Sequence, residues 1–113
     1  MVIAFVALAM CLLWLAAHIA GLVVFLNRRK SGQPPPSKVA LGAWIIGFAG
    51  GFTGPGVLLF NLAAFGMGIV ELAAVRMGRS PSASRLPATI AVLTSSIILV
   101  MGTVVAVLAF TMT

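Results

Sequence analysis

Apolar positions in this chain come in long runs, and polar positions gather in short gaps between them. Val2 to Leu26 is 25 residues without a charge, long enough to span a bilayer with some tilt. A second apolar run extends from Val39 to Val75, and a third from about Pro87 to Phe110. The middle run is interrupted by "GGFTGPG", Gly50 to Gly56. As a single helix, residues 39–75 would be about 55 Å long, far more than the ~30 Å hydrocarbon core. A hairpin turning on those glycines and the proline divides the run into a short second helix, 39–53, and an ordinary third one, 55–75. Pro55 then falls in the first turn of that third helix, where a missing N–H costs least.

The charges choose between the two paths. Four cations lie in the first gap, 27–38 ("NRRKSGQPPPSK"): Arg28, Arg29, Lys30 and Lys38. Three lie in the second, 76–86: Arg76, Arg79 and Arg85. A single crossing by 39–75 sets four cations on one face against three on the other, whereas a hairpin puts all seven on one side, as the positive-inside rule favours. The expected fold is therefore all-α, one integral membrane domain over residues 1–113. Its four transmembrane helices form two hairpins, at about 2–26, 39–53, 55–75 and 87–110. Both basic loops are expected in the cytoplasm and both termini outside, in a multi-pass protein of the prokaryotic cytoplasmic membrane. Three spans with a kinked or re-entrant 39–75 segment is the alternative. Three consecutive prolines make the first loop a short stiff spacer. In the second, Ser82 and Ser84 stand in a polar segment open to phosphorylation.

Composition fixes the solvent. The chain is 62% hydrophobic and 7% charged over 113 residues, with mean hydropathy +1.24, against about a quarter charged in soluble domains. Charge following the first apolar run, where a signal peptide has it beforehand, favours a retained helix. The net charge of +6 does not indicate nucleic acid, because the cations form two tight loop clusters and no broad patch. They suit the anionic head groups of membrane lipids.

Helix association in lipid relies on small residues and interhelical hydrogen bonds. Ala43, Gly47 and Gly51 form a small-residue stripe on the second helix. Ala17 and Gly21 make a shorter one on the first, and Gly102 and Ala106 on the fourth. Thr94, Ser95 and Ser96 are candidates to bond across an interface. The second-helix stripe suits packing within one bundle or docking on another membrane protein subunit.

The inventory for chemistry is thin: no Asp or Tyr, with one Glu, one His and one Cys. Carboxylate pairs, two-metal sites and a Ser-His-Asp triad are excluded by count. Cys11 has no second cysteine to pair with, and "GGFTGPG" lacks the Lys of a phosphate-binding loop. An enzyme is not expected, and neither a cofactor nor a metal is. Glu71 and Asn61 are candidates for a polar path. Glu71 is expected about one turn from the cytoplasmic end of its helix, near Arg76 and within reach of head groups. His18 lies inside the first helix, where small neighbours at 17 and 21 leave room for a flat ligand and Trp14 stands one turn away. The expected role is a neutral imidazole hydrogen-bonded to a neighbouring helix; the alternatives are a quinone or proton-relay site, or an axial ligand to haem or a chlorophyll-type pigment, the second position coming from another chain.

"GFAGGFT", Gly47 to Thr53, resembles the GGxT stretch of small four-helix fluoride channels. Gly-Pro-Gly then stands where that family has a Thr-Phe-Ser-Thr-Phe box, so its polar filter is missing. From Lys38 to Val100 the chain is similar to small bacterial polytopic membrane proteins grouped as a domain of unknown function. The likeness rests on the Gly-rich hairpin, "GMGIVELAAVRMGRS" and "RLPATIAVLTSSI"; it implies the hairpin and no activity. The expected function is a non-catalytic accessory, structural or assembly subunit of a larger membrane complex. The alternatives are a small oligomeric channel or transporter, and a cofactor- or pigment-binding subunit of an electron-transfer or photosynthetic complex acting through His18.

Overall fold

The computed structural model describes residues 2–52 and 56–111. Four α-helices follow in order: α1 (Val2–Lys30), α2 (Lys38–Gly50), α3 (Val57–Arg76) and α4 (Arg85–Thr111), with a short 3-10 turn at Ser82–Ser84 before α4. Three of them, α1, α3 and α4, are long and apolar enough to cross a membrane, and α2 is shorter. The large side chains that face outward are apolar along the length of the helices, Leu12, Ile45 and Val70 among them. The fully buried apolar positions are mostly alanines, Ala40, Ala43, Ala64, Ala88 and Ala91, and they lie beside the buried polar residues Asn61, Ser84, Thr94 and Ser95. That inversion suits a bundle whose solvent is lipid, where close backbone approach replaces the hydrophobic drive between helices.

Contacts along the helices give their directions. Gly47 faces Ala64 and Gly42 faces Met67, so α2 and α3 run antiparallel. Gly68 faces Ala88 and Val92 while Gly102 faces Leu58, so α3 and α4 are antiparallel too. On α1, Trp14 meets Gly51 and His18 meets Trp44, while Gly21 meets Ile90 of α4 and Val6 lies near Val104, so α1 is antiparallel to both α2 and α4. The result is an elongated up-and-down bundle measuring 53 × 24 × 21 Å. The kinked single helix through 39–75 is therefore overturned. Helix geometry stops at Gly50 and resumes at Val57, and the two halves fold back on each other. The expected ends at Thr53 and Pro55 fall on residues outside those described.

Both connections at the basic end are shaped by helix caps. Helix α1 runs four residues beyond the expected Leu26, through Arg28, Arg29 and Lys30, because cations are favoured at a helix C-terminus. It closes with Gln33 N–H on the Arg28 carbonyl and Gly32 N–H on the Arg29 carbonyl, Gly32 taking φ +77°. Helix α3 ends the same way: Arg79 N–H meets the Ala74 carbonyl, Gly78 N–H meets the Val75 carbonyl, and Gly78 has φ +76°. Each is a Schellman motif, with glycine at the position that needs a left-handed backbone. Helix α4 begins two residues before the expected Pro87. That proline fits the first turn, where N–H groups have no intrahelical acceptor.

These turns bring both basic loops to the same end of the bundle. Ser37 N–H donates to Ser84 Oγ at 2.7 Å, joining the first loop to the second. All seven cations are exposed there. At the other end the helices are uneven. Thirteen residues give α2 a length of about 20 Å, against about 30 Å for α3. Beyond the α2–α3 hairpin, the N-terminal part of α1 and the last turns of α4 continue with each other as neighbours. Val6 and Met10 face Val100 and Val104 across a shallow apolar cleft.

Candidate functional site

Two clusters gather the buried polar groups. The first ties the basic end together around Ser37. The prolines before it end in an extended residue, φ −65° and ψ 157°, the geometry of a helix N-cap. Ser37 Oγ accepts the Ala40 N–H at 3.1 Å, which leaves its own hydrogen free to donate to Glu71 Oε1 at 2.6 Å. Its backbone N–H goes to Ser84, so one residue holds the start of α2, the end of α3 and the turn before α4. Glu71 is thus not the head-group-facing carboxylate expected from sequence; it is 4% exposed and turned inward. Ser84 is fully buried, its hydroxyl occupied by Ser37, whereas Ser82 is exposed. Of the two serines read as open to phosphorylation, Ser82 alone is accessible.

The second cluster is aromatic. Trp44 Nε1–H donates to His18 Nδ1 at 2.8 Å, the two rings nearly coplanar in orientation. Trp14 meets His18 edge-on at 4.6 Å between centroids, and Phe48 does so at 4.9 Å. Trp14 also stacks on Phe48 at 5.6 Å. The room expected beside Gly21 is filled: a Cβ there would fall 1.9 Å from Ile90 Cδ1 and 3.3 Å from the Trp44 ring. The hydrogen bond also decides what His18 can do. An indole N–H only donates, so Nδ1 is the acceptor and neutral His18 carries its proton on Nε2. An axial metal ligand needs a free nitrogen lone pair. Here one is engaged by Trp44 and the other nitrogen is protonated, so the residues present do not fit haem or a chlorophyll-type pigment at His18. What the site offers is donors: His18 Nε2–H and Trp14 Nε1–H are both buried without a partner among the described residues.

Asn61 and Glu71 lie on one buried stripe of α3 with Ala64 and Gly68 between them. Ten residues apart on a helix is about 15 Å. The interval is closed by backbone contact, Ala64 against Gly47 and Gly68 against Ala88 and Val92, so the two polar residues are not joined into a path. The Asn61 amide nitrogen bonds the Val57 carbonyl on its own helix, and its Oδ1 has no partner among the described residues. The hydroxyls expected to bridge helices turn back instead. Thr94 donates to the Ile90 carbonyl at 2.7 Å, Ser95 to that of Ala91, and Ser96 to that of Val92 at 2.6 Å. Each satisfies its hydrogen bond four residues back, the usual outcome for Ser and Thr inside a helix.

Ala43 and Gly47 are buried between helices of this chain, so they are not open for a partner to dock. Gly51 abuts Trp14 and Gly21 is buried, while Ala17 is half-buried. Gly102 touches Leu58, and Ala106 is exposed. Sequence reasoning missed Gly68, a close approach between α3 and α4, along with Ser37 and Trp44, and gave Ser84 a role other than its tie to Ser37. Ser37 did carry a signal, since serine after prolines and before an apolar run marks an N-cap. No protein-family profile, curated protein or solved structure matches this chain. The site must be read on its own chemistry.

Proposed function

We propose that this chain is a non-catalytic, multi-pass membrane protein serving as an accessory or assembly subunit of a larger membrane complex. It crosses four times, with both basic loops in the cytoplasm. One observation carries the reading: α2 is about 20 Å long in a bundle whose α1 and α4 run far past it. Its last turn meets α1 at Trp14, and among the described residues the outer turns of α1 and α4, around Val6 and Val104, line a cleft with each other. Trp14, Phe48 and Phe52 pack together at the end of α2, a patch suited to an apolar helix of another subunit. The buried polar groups support the same reading, because Ser37, Glu71, Ser84, His18 and Trp44 are occupied in bonds that tie one helix to another. The shared end of the two basic loops supports the four-crossing topology.

Two measurements test it. Single cysteines at Ser31, Ser82 and Phe52 in a Cys11→Ala background should be labelled from the cytoplasm, the cytoplasm and the outside respectively. Labelling of Ser31 and Ser82 from opposite faces would sink the topology. Gentle extraction of the tagged chain should recover a membrane protein in stoichiometric amount; a chain that purifies alone and monodisperse from native membranes is no subunit.

A further inference from the structure

The seven cations of this chain share a single carboxylate, and it is unavailable. Glu71 is the one acidic side chain in the sequence, and it is buried on Ser37. The countercharge for the basic end must come from another molecule. The structure has a place for it. A cleft of about 480 Å³ lies between the end of α1, the proline spacer and the start of α4. Its rim carries Arg28 and Arg85, from two different helices, with the hydroxyls of Ser82 and Thr89. A neighbouring cleft of about 470 Å³ shares Arg28, Gln33 and Leu86 with the first and continues over Phe25 and Leu41. Charge and hydroxyl groups therefore open directly onto an apolar floor made by residues of the membrane-facing helices.

We propose that this double cleft binds an anionic phospholipid, its phosphate between Arg28 and Arg85 and the first part of an acyl chain over Phe25, Leu41 and Leu86. Arginine pairs with phosphate through a planar fork of donors, and Ser82 and Thr89 can donate to the remaining oxygens. The positive end of the α4 dipole adds attraction of the same sign. A soluble phosphate would use the rim and leave the apolar floor bare; a lipid uses both, which is why the lipid is favoured. The polyproline spacer fixes one wall at low entropic cost. The inference rests on the reading of the basic end as a cytoplasmic membrane surface.

The test is native mass spectrometry of the full chain in dodecylmaltoside with added dioleoylphosphatidylglycerol, and dioleoylphosphatidylcholine as the zwitterionic control. The wild type should retain the anionic lipid preferentially. Arg28→Gln/Arg85→Gln should weaken that retention by about tenfold or more. Arg76→Gln/Arg79→Gln removes the same charge from the same end, outside both clefts, and should leave retention near wild type. Equal loss in the two double variants, or loss in neither, overturns the site in favour of diffuse attraction. Leu86→Trp, which keeps every charge and fills the floor, should also release the lipid; undiminished retention there overturns the acyl placement. Glycerol 3-phosphate binding as tightly as the lipid would make the ligand a soluble phosphate and overturn the lipid assignment. Orientation is read separately by the cysteine labelling, so the topology and the lipid site can fail independently.

Discussion

The two ends of this bundle are built by different means. At the basic end, four chain segments meet and are fastened by directed bonds: two Schellman caps, an N-cap serine, and hydrogen bonds from Ser37 to Glu71 and Ser84. At the opposite end, α1 and α4 run side by side with Val6 near Val104, and Phe5 and Phe110 are 70% and 86% exposed. The first end is specified within the chain. The second end is left to lipid or to a neighbour. Polar bonds fix geometry because a misplaced donor or acceptor is costly, whereas apolar side chains facing lipid lose little by moving.

The largest effect should come from removing the knot at the basic end. Ser37→Ala deletes the α2 cap and strips Glu71 of its hydroxyl donor while also leaving a buried carboxylate without that bond. The expected cost is about 2–4 kcal/mol, the sum of a lost cap and a lost bond to an acidic group. Glu71→Gln keeps an oxygen for Ser37 to bond and should cost about 1 kcal/mol or less. Denaturant titration of helix content in detergent micelles compares the two. A Ser37→Ala variant as stable as Glu71→Gln would break the claim that this end is held by directed bonds.

Next comes the packing shared by both halves. A Cβ on Gly68 would fall 2.6 Å from Val92 Cγ2 and 3.0 Å from the Ala88 carbonyl oxygen. Backbone cannot swing aside as a side-chain end can, so Gly68→Ala should push α3 from α4 and cost about 1–3 kcal/mol. Gly66 has open space around its Cβ direction. Gly66→Ala is the matched control and should be neutral or slightly stabilising. The same titration decides, and equal behaviour of the two variants would refute the close α3–α4 approach.

Midway along the bundle the effect shrinks. Trp44→Phe keeps the ring and removes the N–H that reaches His18. Hydrogen bonds between membrane helices average about 0.6 kcal/mol, with a maximum near 1.7. The expected loss lies in that range, and a double cycle with His18→Leu should recover most of it as coupling. Coupling near zero would mean that the two residues act independently.

What was legible in the sequence follows the same division. The antiparallel pairing of α2 and α3 could be read because it brings seven cations to one end of the bundle, and charge placement is a global constraint visible in one dimension. The tie between Ser37 and Glu71 could not, since it joins residues 34 apart whose approach depends on how α2 lies on α3. Reading Glu71 by its distance from a helix end gave head groups as its surroundings, when the angular position on α3, shared with Asn61, Ala64 and Gly68, turned it inward. His18 was read from its small neighbours, which do mark a close approach; what fills the space, Ile90 and Trp44, comes from two other helices. Spacing along a helix shows which residues share a face and says nothing of what that face meets.

The smallest effect on stability should come from the outer half, and it tests the comparison most directly. Leu12 and Val105 are 58% and 49% exposed, on α1 and α4 beyond the α2 hairpin. In lipid or detergent their side chains exchange one apolar neighbour for another, so Leu12→Ala/Val105→Ala should change the stability of the isolated chain by no more than about 0.5 kcal/mol. A subunit interface responds differently. Truncating two large side chains there removes shape-matched contacts that lipid does not reproduce, so recovery of the partner from gently extracted membranes should fall while the chain itself remains folded. Ile45→Ala and Val70→Ala, at least as exposed but nearer the fastened end, serve as controls and should leave recovery unchanged. Destabilisation of the isolated chain by the outer pair would show that α1 and α4 are specified by each other. Unaltered recovery with all four substitutions would remove the outer half as a docking surface and with it the reason for calling the short α2 an opening for another subunit.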